Sequence, residues 1–243
     1  MGQTEILPLL QGVPVGSDRG ALGWSSSVIR RSQCRTLRLD TESYGDRSLF
    51  FSRLEAHGLG LHSFDAVVLS HFHFDHMVNT ELFTQQTFFI SEPEWDYVRS
   101  GDFQRVNDPF VPLAHISLLQ SRMQTVCEGQ ELAPGVRVLF LPGHTPGSMG
   151  LYIQDQNLIL AGDAVKNRHD FAHSIPPPCF DTEDRALASM HRVRGLASNI
   201  LPGHDTAFSL AEDGRLQESQ EQQAVRLTLY PGPERPPQDI DLL

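Results

Sequence analysis

Three histidines and one aspartate lie within residues 71–76, His-Phe-His-Phe-Asp-His, and no other segment constrains the fold as strongly. The apolar run 66–69, Ala-Val-Val-Leu, comes directly before them and is typical of a short buried strand. A strand that ends there delivers four metal-binding side chains into one tight loop. A histidine-rich surface loop without a defined site is the alternative that this segment alone leaves open.

The same arrangement recurs at three later places, where an apolar run ends close to a glycine and a histidine or aspartate. These are His144 after the run 136–141, Asp163 after the run 158–161 and His204 after the run 198–201. Glycine permits the sharp turn and the close backbone approach that a ligand at a strand end needs. Each motif is weak by itself, because Gly-Asp after a strand is usually only a turn. Together, the four strand ends predict one shared metal site.

These motifs, in this order, resemble those of the metallo-β-lactamase superfamily. The segments that carry the resemblance are 71–76, Pro142-Gly143-His144-Thr145-Pro146-Gly147-Ser148, Gly162-Asp163 and Gly203-His204-Asp205. The resemblance runs from Ile6 to Phe208 and implies an α/β fold, a four-layer αββα sandwich of two sheets with helices outside. We expect residues 1–210 to form the metallo-hydrolase domain. Residues 211–243 are expected to be a polar, proline-rich tail, part helical and part mobile.

The resemblance also implies a site for two divalent metal ions. The first ion would be held by His71, His73 and His144, the second by Asp75, His76 and His204, and Asp163 would bridge them. Zinc is the first choice for histidine and carboxylate ligands, and manganese and iron stay open. Asp40 lies in a segment that resembles the family's early aspartate loop, where the aspartate supports the site without binding metal.

Such a metal pair explains hydrolysis without a protein nucleophile. Two divalent cations bound by five neutral histidines and two aspartates keep a positive charge, which favours metal-bound hydroxide as the nucleophile. The sequence contains no Gly-x-Ser-x-Gly elbow, in keeping with that chemistry. Asp75 is a candidate catalytic residue that binds metal and also moves a proton, and a ligand-only role is left open.

Three further residues are candidates for the substrate pocket: Trp24, Lys166 and His169. Lys166, three positions after Asp163, is also the second candidate catalytic residue, as an electrophile or a partner for a substrate carboxylate. A solvated loop lysine is its alternative role, and a packing anchor is the alternative for Trp24. Superfamily lactonases that cleave acylated homoserine lactones often carry tyrosine where Lys166 stands, which counts against that specific activity.

Net charge and the distribution of apolar residues limit which partners and which cellular compartment we expect. A net charge of −11 argues against nucleic acid as the main partner. No apolar run approaches the roughly 20 residues that span a bilayer, and the N-terminus lacks the features of a secretory signal. We therefore expect a cytoplasmic enzyme with no membrane partner. The three cysteines, Cys34, Cys127 and Cys179, give neither a disulfide framework nor metal spacing. The oligomeric state is open, with a homodimer as one option.

The sequence thus predicts a dinuclear metal-dependent hydrolase of a small-molecule ester, lactone or related acyl substrate, with the lactonase-like branch ahead despite Lys166. A phosphodiesterase and a β-lactamase-like amidase are the alternatives within hydrolases. A mononuclear iron sulfur dioxygenase and a non-catalytic binding relative are the alternatives from other classes. All seven ligand positions are filled, which counts against both of the latter.

Local patterns add predictions of secondary structure. Helical spacing predicts helices over 47–57, 91–98 and 181–194, with Ser91 and Glu94 as a capping box and Asp181 and Asp184 as caps. Strands are predicted over 87–90, 115–118 and 136–141, and a polar helix over 212–229. Residues 101–114 are polar and contain Pro109, so we expect a surface loop that is a candidate lid.

Overall fold

The computed structural model describes residues 5–15, 25, 27–31, 35–218, 225–230 and 235–242 of the 243-residue chain. The strands within these residues form a six-stranded sheet, a seven-stranded sheet and a separate two-stranded hairpin. The helices are α1 (Arg47–Ala56), α2 (Phe74–Met77), α3 (Glu92–Ser100), α4 (Asp102–Arg105), α5 (Leu113–Leu119), α6 (Arg168–His173) and α7 (Glu183–Leu196). None of these helices combines the length and the apolar character that a membrane crossing requires.

The first sheet follows chain order from edge to edge. Its strands are β1 (Glu5–Leu10), β2 (Ser27–Arg31), β3 (Thr36–Leu39), β4 (Ala66–Val68), β5 (Thr87–Ser91) and β6 (Met123–Val126). The strands from β1 to β3 pair antiparallel, and those from β3 to β6 pair parallel. The parallel half needs helices on its outer face, because parallel strands are joined by crossover connections.

The second sheet also keeps chain order, read from its opposite edge. Its strands are β7 (Glu131–Ala133), β8 (Val136–Phe140), β9 (Met149–Ile153), β10 (Leu158–Gly162), β11 (Asn199–Pro202), β12 (Phe208–Leu210) and β13 (Leu216–Glu218). Only the pair β10–β11 is parallel, with α6 and α7 in the connection between them. The carboxyl ends of these two strands therefore lie on the same edge of the sheet.

Three apolar cores show how the layers stack, because successive residues of a strand face opposite sides of a sheet. In β4, Val67 belongs to the core beneath α1, α3 and α5, whereas Ala66 and Val68 belong to the core between the sheets. In β10, Leu160 joins that central core and Ile159 joins the core beneath α6 and α7. The chain is thus the four-layer αββα sandwich that the sequence predicted.

The predicted helices over 47–57, 91–98 and 181–194 are present as α1, α3 and α7. The caps predicted for α7 are wrong, because the Thr182 side chain accepts the hydrogen bond from the Arg185 backbone N–H. The strand predicted over 115–118 is also wrong. Its apolar residues pack as the helix α5, whose buried His115 and Leu119 lie four positions apart on one face. The expected loop 101–114 contains α4 and the start of α5.

The polar helix predicted over 212–229 is wrong as well. Residues Leu216–Glu218 form the edge strand β13, and β14 (Val225–Leu229) pairs antiparallel with β15 (Gln238–Leu242). Facing side chains of this hairpin pair across the strands, Arg226 with Asp241 and Thr228 with Asp239. Residues 219–224 and 231–234 lie outside the described residues, and the mobility of the tail stays a prediction.

The two cysteines in the described part of the chain form no disulfide. Cys127 is exposed and Cys179 is half-buried, and both are free thiols, while Cys34 lies outside the described residues. Neither of the two described thiols is a buried packing residue.

A charged pair is fully buried beneath the helices of the first sheet. The Arg38 Nη2 atom lies 2.5 Å from both Glu42 carboxylate oxygens, and neither side chain is exposed. The Arg38 guanidinium also lies over the ring of Phe50, at 4.3 Å from the ring centroid. Burial lowers the pKa of Arg38 and raises the pKa of Glu42, and the attraction between them opposes both shifts.

We expect the substitution Glu42→Gln to lower the free energy of unfolding by about 3–5 kcal/mol, because it removes the carboxylate that is paired with the buried Arg38 charge. Urea unfolding followed by circular dichroism measures this change. Asp96→Asn is the matched control, since the Asp96–Arg99 pair lies on the exposed face of α3 and contributes little. An E42Q variant as stable as the wild type would contradict the expectation.

Candidate metal centre

The ends of strands from both sheets deliver the candidate ligands to one place. After β4 of the first sheet, the chain passes through His71 and His73, and α2 then carries Asp75 and His76. His144 lies in the connection between β8 and β9 of the second sheet. Asp163 and His204 follow the parallel strands β10 and β11. The site therefore lies where the two sheets meet.

All seven predicted ligands are buried, and none is more than 7% exposed. Their ligand atoms form three groups whose members lie within 4.8 Å of one another: His71, His73 and His144; His71, His76 and Asp163; and Asp75, His76 and His204. The structure thus brings together every residue that the sequence analysis named as a ligand.

Asp163 lies between the groups. Its Oδ1 atom is 3.1 Å from His76 Nε2, and its Oδ2 atom is 3.2 Å from His204 Nε2 and 3.6 Å from His144 Nε2. On the two sides of it, His73 Nδ1 lies 3.0 Å from His144 Nε2, and Asp75 Oδ2 lies 3.2 Å from His204 Nε2. Asp163 therefore contacts histidines of both the first and the third group.

Four of the five imidazoles are held from behind through one ring nitrogen. The contacts are His71 Nδ1 to Ser70 Oγ at 3.0 Å, His73 Nε2 to Asp108 Oδ2 at 2.9 Å, His76 Nδ1 to Asp40 Oδ2 at 2.9 Å and His144 Nδ1 to the Pro178 carbonyl at 2.6 Å. Partners of this kind fix the ring orientation and leave the other nitrogen for a metal ion. The second nitrogen of each of these rings faces the cluster.

Four of the inward atoms lack the partners that buried polar groups normally have. Within the described part of the chain, His71 Nε2, His76 Nε2, His204 Nε2 and Asp163 Oδ1 are buried and make no hydrogen bond of acceptable geometry. A buried polar atom without a partner requires an explanation, and an ion bound at the site is one explanation. Nitrogen and carboxylate donors converging on the same small volume fit divalent metal ions.

The pKa values of the histidines differ between the two sides of the site. Burial, with the positive potential of the neighbouring histidines, holds the pKa of His71 well below its ordinary value, and burial lowers the pKa of His144 to about 3. These two rings are neutral at neutral pH, so that each has a lone pair to donate.

The other side of the cluster attracts positive charge. Burial opposes a charged His76, but the carboxylates of Asp163, Asp75 and Asp40 raise the pKa of His76 well above its ordinary value. Burial likewise opposes a charged His204, whose pKa Asp163 and Asp75 raise. A cation bound between these side chains would take the place of the proton that the carboxylates favour.

Asp40 occupies the supporting position that its loop suggested. Its carboxylate accepts hydrogen bonds from the Ser70 N–H and the Ser70 hydroxyl, both at 2.7 Å, and contacts His76. The residue has a φ of 55°, in the left-handed region, which aspartate adopts more often than most other residues.

Sequence reasoning missed Asp108, the partner of His73. Its Oδ2 atom also accepts a hydrogen bond from the Tyr97 hydroxyl at 2.9 Å, and its Oδ1 atom accepts one from the Phe110 N–H at 3.0 Å. The Phe74 N–H in turn donates to the Phe110 carbonyl at 3.0 Å. These bonds tie the candidate lid to the 71–76 loop. No short motif marks Asp108, which lies 35 positions from His73.

The three candidate pocket residues differ in their placement. Lys166 Nζ lies 3.4 Å from Asp163 Oδ2, and this carboxylate raises the pKa of the lysine, which stays charged at neutral pH. His169 is exposed on α6, where its ring packs on His173 beside a surface cavity of about 540 Å³. Trp24 lies outside the described residues.

Two phenylalanine rings border the first group of ligands. The centroids of Phe110 and Phe180 each lie 5.4 Å from that of His73, and 5.8 Å from each other. The Phe180 N–H donates to the His144 carbonyl at 2.8 Å, so the segment with Pro178 holds His144 at both its backbone and its ring. Both phenylalanines are only partly buried, and they give this side of the site an apolar border.

Comparison with known proteins gives matches to metal-dependent enzymes. The family model described as the metallo-beta-lactamase superfamily matches residues 39–204. A probable metallo-hydrolase of Methanocaldococcus jannaschii is 24% identical over 168 residues, which are 69% of this chain and 70% of that protein. An N-acyl homoserine lactonase of Bacillus thuringiensis is 26% identical over 146 residues, which are 57% of this chain and 55% of the lactonase.

A solved structure extends the comparison to three dimensions. AidC, described as a dizinc quorum-quenching lactonase in complex with a product, has a TM-score of 0.67 and 17% sequence identity. The match covers 82% of this chain and 80% of that chain. At this level of identity the likeness shows a shared fold.

We expect the substitution Gly203→Ala to weaken metal binding by about 10-fold or more, as the loss of groups that orient a ligand does. An added Cβ at this position would lie 2.1 Å from Asp163 Oδ1, so the carboxylate has to move. Competition with a chelator measures the affinity. Gly195→Ala is the control, because the same methyl group meets nothing within 4 Å. Equal affinity in the G203A variant would contradict this account of Asp163.

Proposed function

This chain belongs to the metallo-beta-lactamase superfamily, and from that premise we propose that it is a dinuclear hydrolase of a small-molecule ester, lactone or related acyl substrate. One observation carries the proposal. The three buried ligand groups overlap only through His71 and His76, so the two outer groups have no residue in common. Each outer group offers three ligands to one ion, and Asp163 stands between them.

Zinc is the metal that we propose for both positions. Histidine nitrogen and carboxylate oxygen are ordinary zinc ligands, and the AidC structure is described as a dizinc enzyme. Manganese and iron accept the same donors, so the identity of the metal requires a measurement. Bound here, such cations supply Lewis acidity and lower the pKa of a coordinated water.

We propose that Asp75 moves a proton in addition to binding metal. Burial opposes its ionisation, but His76 and His204 hold the pKa of this carboxyl well below its usual range. The carboxylate is therefore an acceptor at neutral pH, and it is the most exposed of the seven side chains. An ionised carboxylate beside the reacting atoms is suited to take a proton from water and pass it to a leaving group.

Lys166 is the proposed electrostatic partner of the substrate. Its ammonium group stays charged beside Asp163 and is 27% exposed, so a substrate oxygen can reach it. The apolar border of Phe110 and Phe180 supports an acyl group next to the reacting carbonyl. The N-acyl homoserine lactonase among the relatives has a substrate of this kind, and a net charge of −11 counts against nucleic acid.

We expect the purified chain to bind two zinc ions and to lose hydrolysis when a chelator removes them. Elemental analysis gives the stoichiometry, and a panel of lactones, aryl esters, thioesters and bis-aryl phosphates identifies the substrate class. Re-addition of zinc is the control for damage by the chelator. One bound iron with oxygen uptake would instead indicate a dioxygenase, and phosphodiester turnover alone would contradict the acyl substrate.

The substitution Asp75→Asn separates the two roles of this residue. If Asp75 moves a proton, D75N keeps its metal and loses about 10²- to 10⁴-fold in kcat, the usual contribution of general acid–base catalysis. Metal content and kcat are measured on the same sample. Asp155→Asn, at an exposed position between β9 and β10, is the control. Loss of metal from D75N would leave Asp75 with the ligand role alone.

A further inference from the structure

Glu94 is a buried carboxylate that belongs to none of the ligand groups. It is the third residue of α3 and is not exposed to solvent. Its backbone N–H donates to the hydroxyl of the N-cap residue Ser91, at 3.2 Å, which is half of the capping box that the sequence predicted. The other half is absent, since the Glu94 side chain turns away from the start of the helix.

The Glu94 carboxylate instead joins two ligand loops. Its Oε1 atom accepts a hydrogen bond from the Phe72 N–H at 3.0 Å, and Phe72 lies between His71 and His73. Its Oε2 atom accepts from the Thr145 hydroxyl at 2.7 Å and from the Gly147 N–H at 3.0 Å. Thr145 directly follows His144. One side chain thus links the loop after β4 of the first sheet to the loop after β8 of the second.

The second loop lies unusually close to the start of α3. A Cβ at Gly147 would be 2.0 Å from the Glu94 backbone nitrogen, so only glycine permits this approach. The Ser91 hydroxyl donates to the Gly147 carbonyl at 2.5 Å, which adds a second link between the same helix and loop. The two loops are therefore fixed to the helix and, through it, to each other.

We propose that Glu94 is a positioning residue that sets the spacing between the pair His71 and His73 and the third ligand His144. This inference rests on the metal site of the proposed function. The three ligands come from different sheets, and a metal ion tolerates only small errors in ligand position. A carboxylate suits the task because it only accepts hydrogen bonds, and three donors face it.

The substitution Glu94→Gln tests the proposal with little change of shape. Whichever way the amide turns, its NH₂ group faces the Phe72 N–H or the Gly147 N–H, so one loop loses its bond. We expect metal affinity to fall by about 10- to 100-fold, as it does when a partner of metal ligands is removed. Chelator competition gives the affinity, and the visible spectrum of the cobalt-substituted protein reports the ligand geometry.

Glu92→Gln is the matched control, since it makes the same chemical change in the first turn of α3 at an exposed position. Thermal unfolding of the metal-free proteins separates positioning from folding. If Glu94 had only a structural role, E94Q would lower the melting temperature and leave the metal affinity and the cobalt spectrum unchanged. That result would overturn the proposal.

If E94Q does not fold, Thr145→Val decides the matter, because it removes one donor from the same carboxylate and preserves the volume of the side chain. We expect weaker metal binding and an altered cobalt spectrum in T145V, and wild-type behaviour would overturn the proposal. A wild-type chain that binds no metal would overturn the proposed function and this inference with it. If the wild type binds metal and E94Q has the same metal affinity and cobalt spectrum, this inference is overturned and the proposed function is not.

Discussion

Five imidazoles and two carboxylates are buried together in one small volume, and this burial constrains the rest of the structure. A buried polar atom without a partner is costly, so each side chain needs a contact on both of its sides. On the outer side, four of the histidine rings each contact one partner: Ser70, Asp108, Asp40 or the Pro178 carbonyl. The inner sides face one another, and metal ions bound there would balance the carboxylates and use the nitrogen lone pairs. The contacts behind the site are therefore as much a part of it as the ligands.

The two sheets contribute different numbers of candidate ligands to this site. Because the ligands come from separate sheets, contacts between the sheets' loops are needed to hold them together. The first sheet supplies four candidates from one loop and α2, whereas the second sheet supplies three from three different strand ends. A single loop can preserve its own spacing, but the relation between loops of different sheets depends on side chains that reach across. Glu94 and Asp163 both do so, the first from behind the ligands and the second from among them.

Local signals in the sequence were sufficient to name the seven side chains that the structure brings together, because a strand end, a glycine and a histidine or aspartate lie within a few residues of each other. The order of the layers came from the family resemblance. Asp108 and the role of Glu94 escaped prediction, since each acts on residues that are distant along the chain. The run 115–118 was mistaken for a strand because a short apolar run fits either kind of element, and the burial of His115 and Leu119 decides for a helix. The tail was mistaken for a helix because the strand that pairs with 225–229 lies beyond a proline-rich stretch of sequence.

The crowded glycines limit how this sequence can change during evolution. Neither Gly147 nor Gly203 has any chemistry of its own, yet backbone or carboxylate atoms fill the space where a side chain would begin. No other amino acid fits at these two positions unless a neighbouring element moves at the same time. The inner frame of the site is therefore the part with the least space for change, whereas Phe110, Phe180 and Lys166 lie at its border and are only partly buried.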